Sequence, residues 1–426
     1  MPPFPQSDDI AHSKVDSAAP MSSESSRRDD CAGVGPEDSE GLRGRDNSMP
    51  QSTEIVVKEV VSRKEMAAFI DLPYRLYKGN PDCVPKLRFD ERNTLDRDKN
   101  PAFAYCEARY WLALNGKRVV GRIAAIINHA HNVKCNQNYM RFAWIDFEED
   151  IRIARALIQQ VEGWAKERGM EAVHGPLGFT DLDFEGMLVN GFDQLGTMAT
   201  IYNYPYYPQY MEVLGYGKEA DWLEFRIEIP QTIPPRIGRV AAVAKARLGL
   251  QVVKAKKSKD ILPYAPDIFR LINDAYAHLH GAVPLNEKQI EYYTKQYFSF
   301  IRPDFVSIVL DRSGKLAAFA ITMPSMSAAL QKGGGRLFPA GFFHLLRAMK
   351  RNPVADLYLV AVRPDLQGKG VNALVISEIF QAYAKAGVRF AESNINLESN
   401  NRIMAFWDSF TAVNHKRRRC FIKELS

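Results

Sequence analysis

The residues of this chain best suited to do chemistry stand together at Gln367-Gly368-Lys369-Gly370. Before them runs Leu357-Tyr-Leu-Val-Ala-Val362, apolar and rich in strand formers, ended by Arg363-Pro364. After them Val371, Leu374, Val375, Ile379 and Tyr383 fall near one face of a helix that Gly387 stops. A strand, a glycine turn and a helix start leave the backbone N–H groups of Gln367 through Val371 unpaired and facing outward. Such a row of donors, helped by the helix dipole, binds phosphate oxygens. An ordinary turn that needs glycine for positive φ would use the same residues.

Four further groups carry polar chemistry. Glu392, Asn394 and Asn396 alternate along the strand that follows the helix, so one face of that strand is polar. A carboxylate there could take a proton from an attacking amine, directly or through water, with the asparagines orienting the substrate. A solvated edge is the plainer reading. Asp181, Asp183 and Glu185 alternate in Thr-Asp-Leu-Asp-Phe-Glu and suit a cationic amine or a solvated loop. The pairs His129/His131 and His278/His280 lack a third ligand at recognisable spacing, so no metal is expected. His415-Lys-Arg-Arg-Arg419 reads as a solvated basic turn or an anion contact.

The segment Val362–Val371 resembles the acyl-CoA pyrophosphate loop of the GNAT acetyltransferase superfamily, whose pattern is Gln or Arg, two residues, Gly, one residue, then Gly or Ala. Gln367 and Gly370 match, whereas Asn372 stands where a small residue is usual. The resemblance implies acetyl-CoA or another acyl-CoA as co-substrate. Its pyrophosphate would lie on Gln367, Gly368, Lys369, Gly370, Val371 and Asn372, and its pantetheine arm along the backbone of Leu359, Val360 and Val362. It implies transfer of the acyl group to a small-molecule or peptide amine. The family often has an Asn followed seven residues later by a Tyr that protonates the thiolate. Asn400 fits the Asn, but position 407 is Trp, whose indole N–H cannot act as that acid. Tyr383 or Ser409 would have to replace it, or the thiolate leaves unaided.

Around these residues the elements repeat. Strand, helix, hairpin, strand, helix, strand and end strand occur once over residues 54–229 and again from residue 250, an order that matches the mixed α/β layout of the GNAT fold. The expected fold class is therefore α/β with a mixed sheet, as two tandem GNAT-like domains over 53–229 and 250–426. Residues 230–249 would link them, and 1–52, rich in Ser, Asp, Gly and Pro, would form a disordered tail. At the first domain's equivalent of the phosphate loop stands Phe147-Glu-Glu-Asp-Ile151, without glycine and with three acids that would repel a pyrophosphate. The tandem layout also resembles Fem-type aminoacyl-tRNA-dependent transferases, although the Gln-Gly-Lys-Gly loop speaks against tRNA as a partner. A protein that binds CoA without turnover is the third reading.

Composition bounds these readings. The 426 residues carry a formal charge of +6, but residues 1–50 hold ten acidic and five basic side chains, so the remainder is basic. A basic body suits an anionic ligand. Five scattered cysteines form no Cys-x-x-Cys pair, which fits a reducing cytoplasm. No apolar run is long enough to span a bilayer.

Overall fold

The computed structural model describes residues 54–298 and 301–425; the expected tail lies outside them. The first half contains β1 (Ile55–Glu59), α1 (Arg63–Leu76), α2 (Arg88–Leu95), β2 (Cys106–Asn115), β3 (Arg118–Asn128), α3 (His129–Cys135), β4 (Tyr139–Phe147), α4 (Ile151–Glu167), β5 (Ala172–Gly175), β6 (Met187–Asn190), α5 (Tyr206–Val213) and β7 (Gly217–Glu228). Next come α6 (Pro235–Leu248), β8 (Gln251–Val252), α7 (Ala265–Tyr276), α8 (Glu287–Tyr297), β9 (Val306–Leu310), β10 (Leu316–Pro324), α9 (Ser327–Gly333) and α10 (Gly341–Lys350). The chain ends with β11 (Val354–Val362), α11 (Val371–Ala386), β12 (Phe390–Ser393), β13 (Asn396–Leu397), α12 (Asn401–Trp407) and β14 (Ala412–Glu424).

All strands join one mixed sheet in the order β1-β2-β3-β4-β5-β14-β7-β12-β11-β10-β9-β8, with β13 on β7 and β6 on β14. Two pairs are parallel, β4 with β5 and β11 with β12, and each is bridged by the helix between its strands. Both pairs part after a few residues: β4 runs on to Phe147 and β11 to Val362, past the ends of their partners. The repeat expected from element order is thus present as two strand–helix–strand units, each with a split beside its longer strand.

The halves exchange strands. The last strand of the chain, β14, pairs with β5 of the first half on one side and with β7 on the other. β7 in turn pairs with β12 of the second half. The apolar clusters follow the same exchange. Phe421 of β14 is fully buried in the core that α4 makes with β3 and β4. Residues 235–248, in the stretch expected to link two domains, form a helix that buries Ile237 and Ala241 in the core shared with α11. Residues 88–95 form α2, which buries Leu95 and Glu91.

One turn holds the halves at a second point. Gly335, with φ 70°, follows α9 and lies against the first half. A Cβ there would stand 2.3 Å from the Lys86 carbonyl and 2.5 Å from the Tyr74 ring, so only glycine fits. Gln331 of α9 donates to the carbonyls of Pro81 and Cys83.

Since Phe421 belongs to the first half's core, Phe421→Ala should cost about 3–5 kcal/mol of unfolding free energy. Hydrogen exchange should show the lost protection in β4 and α4, more than two hundred residues upstream of the substitution.

Candidate functional site

The two strand–helix–strand units differ most at the start of their helices. In the first half Asp150 caps α4, its carboxylate accepting from the backbone N–H of Arg152. Glu148 pairs with Arg118, and its N–H is bonded to the Val120 carbonyl. The helix start is filled by the protein's own acids. In the second half α11 starts at Gly370, with φ 82° and no side-chain cap. Gly368, Lys369 and Asn372 are exposed, and a Cβ on Gly368 would meet nothing within 4 Å. Of the N–H row expected to be free, Gln367 and Lys369 instead bond the Pro364 and Leu366 carbonyls, closing a turn, but a 16-residue helix without a side-chain cap, Lys369 beside it and Arg402 bonded to the Gln367 side chain are chemically suited to a diphosphate. Gly370 itself is packed, its virtual Cβ 2.8 Å from Val240 of α6.

Behind this loop the outer edge of β11 faces the split. Its backbone groups are bonded to side chains rather than to a strand. The Tyr358 carbonyl accepts from Asn394, the Val362 carbonyl from Gln367, and the Tyr276 hydroxyl meets both the N–H and the carbonyl of Val360. Tyr276 lies at the end of α7, and sequence reading did not single it out. The 181–185 loop of the first half closes on this region, with Leu182 packed in the same cluster as Leu359. Its acids, half-buried or buried, are pushed up by burial, Asp183 to about 6.

A band of charge crosses the centre of the sheet. Asp356, Glu392 and Arg226 are register partners on β11, β12 and β7. His415 Nε2 lies 2.8 Å from Glu392 Oε2, and Lys416 Nζ lies 3.6 Å from the same oxygen. Lys416 also reaches Glu224 at 3.1 Å, and Arg418 meets the other Glu224 oxygen at 2.6 Å. The stretch 415–419, read in sequence as a solvated basic turn, is instead interior strand. Lys416 and Arg418 are buried because β14 is flanked on both sides.

Beyond Arg418 the band reaches a cavity of about 580 Å³ in the first half. Its walls include Tyr74, Tyr77, Trp144, Phe184 and Tyr202, and its rim includes Lys332 and Gly334. The Lys86 ammonium donates to the carbonyls of Met198 and Thr200 and sits 3.9 Å over the Phe184 ring. Arg122 is ion-paired with Asp146, and Trp144 donates to Glu91. Burial lowers the Lys86 pKa and raises that of Glu91.

The other candidates are placed as follows. The strand stops at Ser393, so Asn394 lies in the turn and Asn396 opens β13, and both bond backbone: Asn394 to Tyr358, Asn396 to Leu223 and Asn394. Asn400 caps α12. Trp407 is buried among Phe225, Phe406 and Phe410, and Tyr383 is buried against Phe305 and Phe380. Ser409 is exposed. Neither Tyr383 nor Ser409 is among the groups that hold the β11 edge.

No protein-family model matches the chain. Among curated proteins it is similar to Protein YghO of Escherichia coli K12, 26% identical over 377 residues, covering 87% of this chain and 95% of that one. It is likewise 26% identical over 322 residues to a bacterial ceramide synthase of Caulobacter vibrioides, covering 74% of this chain and 82% of that protein. Among solved structures, a tandem GNAT protein from the clavulanic acid biosynthesis pathway aligns with TM-score 0.50 and 13% identity, over 87% of this chain and 98% of that one. A glucosamine N-acetyltransferase region of a fungal multi-domain β-N-acetylglucosaminidase aligns with TM-score 0.53 and 10% identity, over 87% of this chain and 38% of that one.

Asp356 provides a check on the charged band. One of its carboxylate oxygens is buried without a hydrogen-bond partner, and burial, with the facing Glu392 adding to it, raises its pKa to about 7. A carboxyl raised above its unfolded value favours the fold fully only at acidic pH, and that contribution is lost as pH rises through about 7. Asp356→Asn should therefore gain stability relative to the native chain between about pH 4 and about pH 7, by up to ~4 kcal/mol at ~1.4 kcal/mol per decade of proton affinity. Denaturation midpoints at the two pH values measure it.

Proposed function

From two halves that share the GNAT fold, we propose that this chain is an acyl-CoA-dependent N-acyltransferase whose acceptor is a long-chain amine. The observation that carries the reading is the contrast between the two helix starts. Asp150 fills one, whereas the other is open, uncapped and flanked by Lys369 and Arg402. Acyl-CoA would lay its diphosphate on residues 367–372 and its pantetheine arm along the β11 edge, where it would displace the Tyr276 hydroxyl from Val360.

The thioester then lies in the split between β11 and β12. The acceptor's ammonium group is drawn by Asp181 and Asp183 on the loop packed over that split. Glu392, with His415 beside it, takes the proton that the amine must lose before attack. The amine nitrogen bonds to the carbonyl carbon, the carbon–sulfur bond breaks, and the sulfur departs as thiolate. Tyr276, whose hydroxyl already stands at the β11 edge, is the acid that returns a proton to it, the role that Trp407 cannot fill. The class of acceptor comes from the name of one relative, since a ceramide is the amide of a fatty acid and a long-chain amino alcohol. The apolar walls of the 580 Å³ cavity suit an alkyl chain.

Titration calorimetry with a long-chain acyl-CoA should show binding that Lys369→Glu/Asn372→Asp weakens by at least ~10-fold, because both changes set negative charge at a helix start. These exposed positions are better probes than Gly370, where any side chain would clash with Val240. Tyr276→Phe should leave that affinity intact and slow thiol release with a long-chain amine by ~10- to 100-fold. An absence of acyl-CoA binding, or binding indifferent to the double variant, defeats the proposal.

A further inference from the structure

We infer that His174, Glu219, His280 and Cys420 form a structural zinc site that fastens the two halves together. The four come from β5, β7, the loop after α7, and β14, and they are up to 246 positions apart, so no spacing in the sequence announces them. One ligand atom from each lies within 4.8 Å of all the others. His174 Nδ1 and Cys420 Sγ are each 3.0 Å from Glu219 Oε2, and His280 Nε2 is 3.6 Å from it. Three potential donors thus converge on one carboxylate oxygen, and His280 Nε2 is left buried without a hydrogen bond. Two imidazoles, a thiolate and a carboxylate at such separations match the ligand set of tetrahedral zinc, with Cys420 giving up its proton on binding. Four protein ligands leave no open position, which marks the site as structural rather than catalytic. His174 and Cys420 are buried, so the ion would be shielded on the β-sheet side.

The full chain, purified without metal-affinity resin and loaded with zinc, should hold one zinc per molecule by plasma mass spectrometry. Cobalt substituted for zinc should give the visible bands of a tetrahedral thiolate site, with the sulfur charge-transfer band lost in Cys420→Ser. His280→Ala, on a partly exposed loop, should lower zinc affinity by ~10-fold or more while the far-ultraviolet spectrum stays native. Chelation should lower the melting temperature of the native chain and not that of His280→Ala. A natively folded chain that takes up no stoichiometric zinc and melts alike with zinc and chelator overturns the inference.

A separate observation points to an anionic bilayer surface as a partner. Around α10 the apolar side chains face solvent: Phe338 is 74% exposed, Phe343 69%, Phe342 41% and Leu346 40%. Lys332, Arg336, Arg347, Lys350 and Arg351 surround them, and residues 325–352 contain no acid. Among the described residues no helix is long and apolar enough to cross a membrane. An aromatic face flanked by cations, on a segment that itself carries no acid, is built to lie in the headgroup layer of negatively charged lipid. The patch adjoins the 580 Å³ cavity, whose rim carries Lys332 and Gly334, so a lipid leaving the surface would meet that opening.

Sedimentation with vesicles tests this without any substrate, so its outcome is independent of the transferase reading. The chain should pellet with phosphatidylcholine vesicles containing phosphatidylglycerol and not with phosphatidylcholine alone. Phe338→Ser/Phe343→Ser and Arg347→Glu/Lys350→Glu should each cut the bound fraction by ~10-fold. No pelleting, pelleting unchanged in both variants, or a dimer by light scattering that the phenylalanine variant abolishes would overturn it.

Discussion

The pairing of Glu224 with Lys416 and Arg418 is the contact on which the rest of this molecule depends. All three side chains are buried between β7 and β14, and each oxygen of Glu224 faces a cation. Loss of one partner from such a group costs about 3–5 kcal/mol, because a charge is left in the interior. The pairing also sets register, since a one-residue slip of β14 would carry both cations to the opposite face of the sheet. That register decides where His415 and Phe421 fall. His415 comes to Glu392 in the second half, and Phe421 enters the apolar core of the first.

Around this lock the halves have diverged in chemistry while keeping the same path. Both contain a parallel strand pair that splits, and in both a tyrosine hydroxyl binds the freed edge: Tyr207 at Phe147, Tyr276 at Val360. In the first half, acids close the helix start and aromatic rings 204–210 gather around Phe147. In the second, glycine opens it. One half has an uncapped helix start beside Lys369 and Arg402, and the other has an apolar chamber with a charged floor. The GNAT fold, duplicated, holds the two within a single sheet.

Much of this organisation was legible in the residues. The strand, glycine turn and helix at 357–386 announce themselves through periodicity and stop signals, as do both hairpins and the acids at 148–150. Local pattern did not reveal where the last strand goes. Residues 415–419 read as a solvated cluster because their counter-charge, Glu224, lies on a strand nearly two hundred positions earlier. Asn394 and Asn396 alternate like strand residues, yet the chain turns at Ser393 because Asn394 and Asn396 can bond the backbone locally. Tyr276, Lys86 and Glu91 sit in unremarkable stretches and gain their surroundings only from contacts between distant segments. Glu392 on a polar strand face and the cluster 415–419 hinted at the charged band, but not that the two meet.

The position of β14 also bears on how the molecule comes into being. A ribosome releases the chain from its N-terminus onward, and the first half would ordinarily fold while the second is still being made. Here β5 waits for residues 421–424, which emerge some 250 positions later. Until then the nascent first half has an unpaired strand edge and an incomplete core, and both invite aggregation. Assembly is therefore postponed until β14 has been made, and it requires a long loop to close before those contacts can form. A molecule wired this way places a premium on chaperone shelter at birth, and it resists any evolutionary event that would separate its two halves.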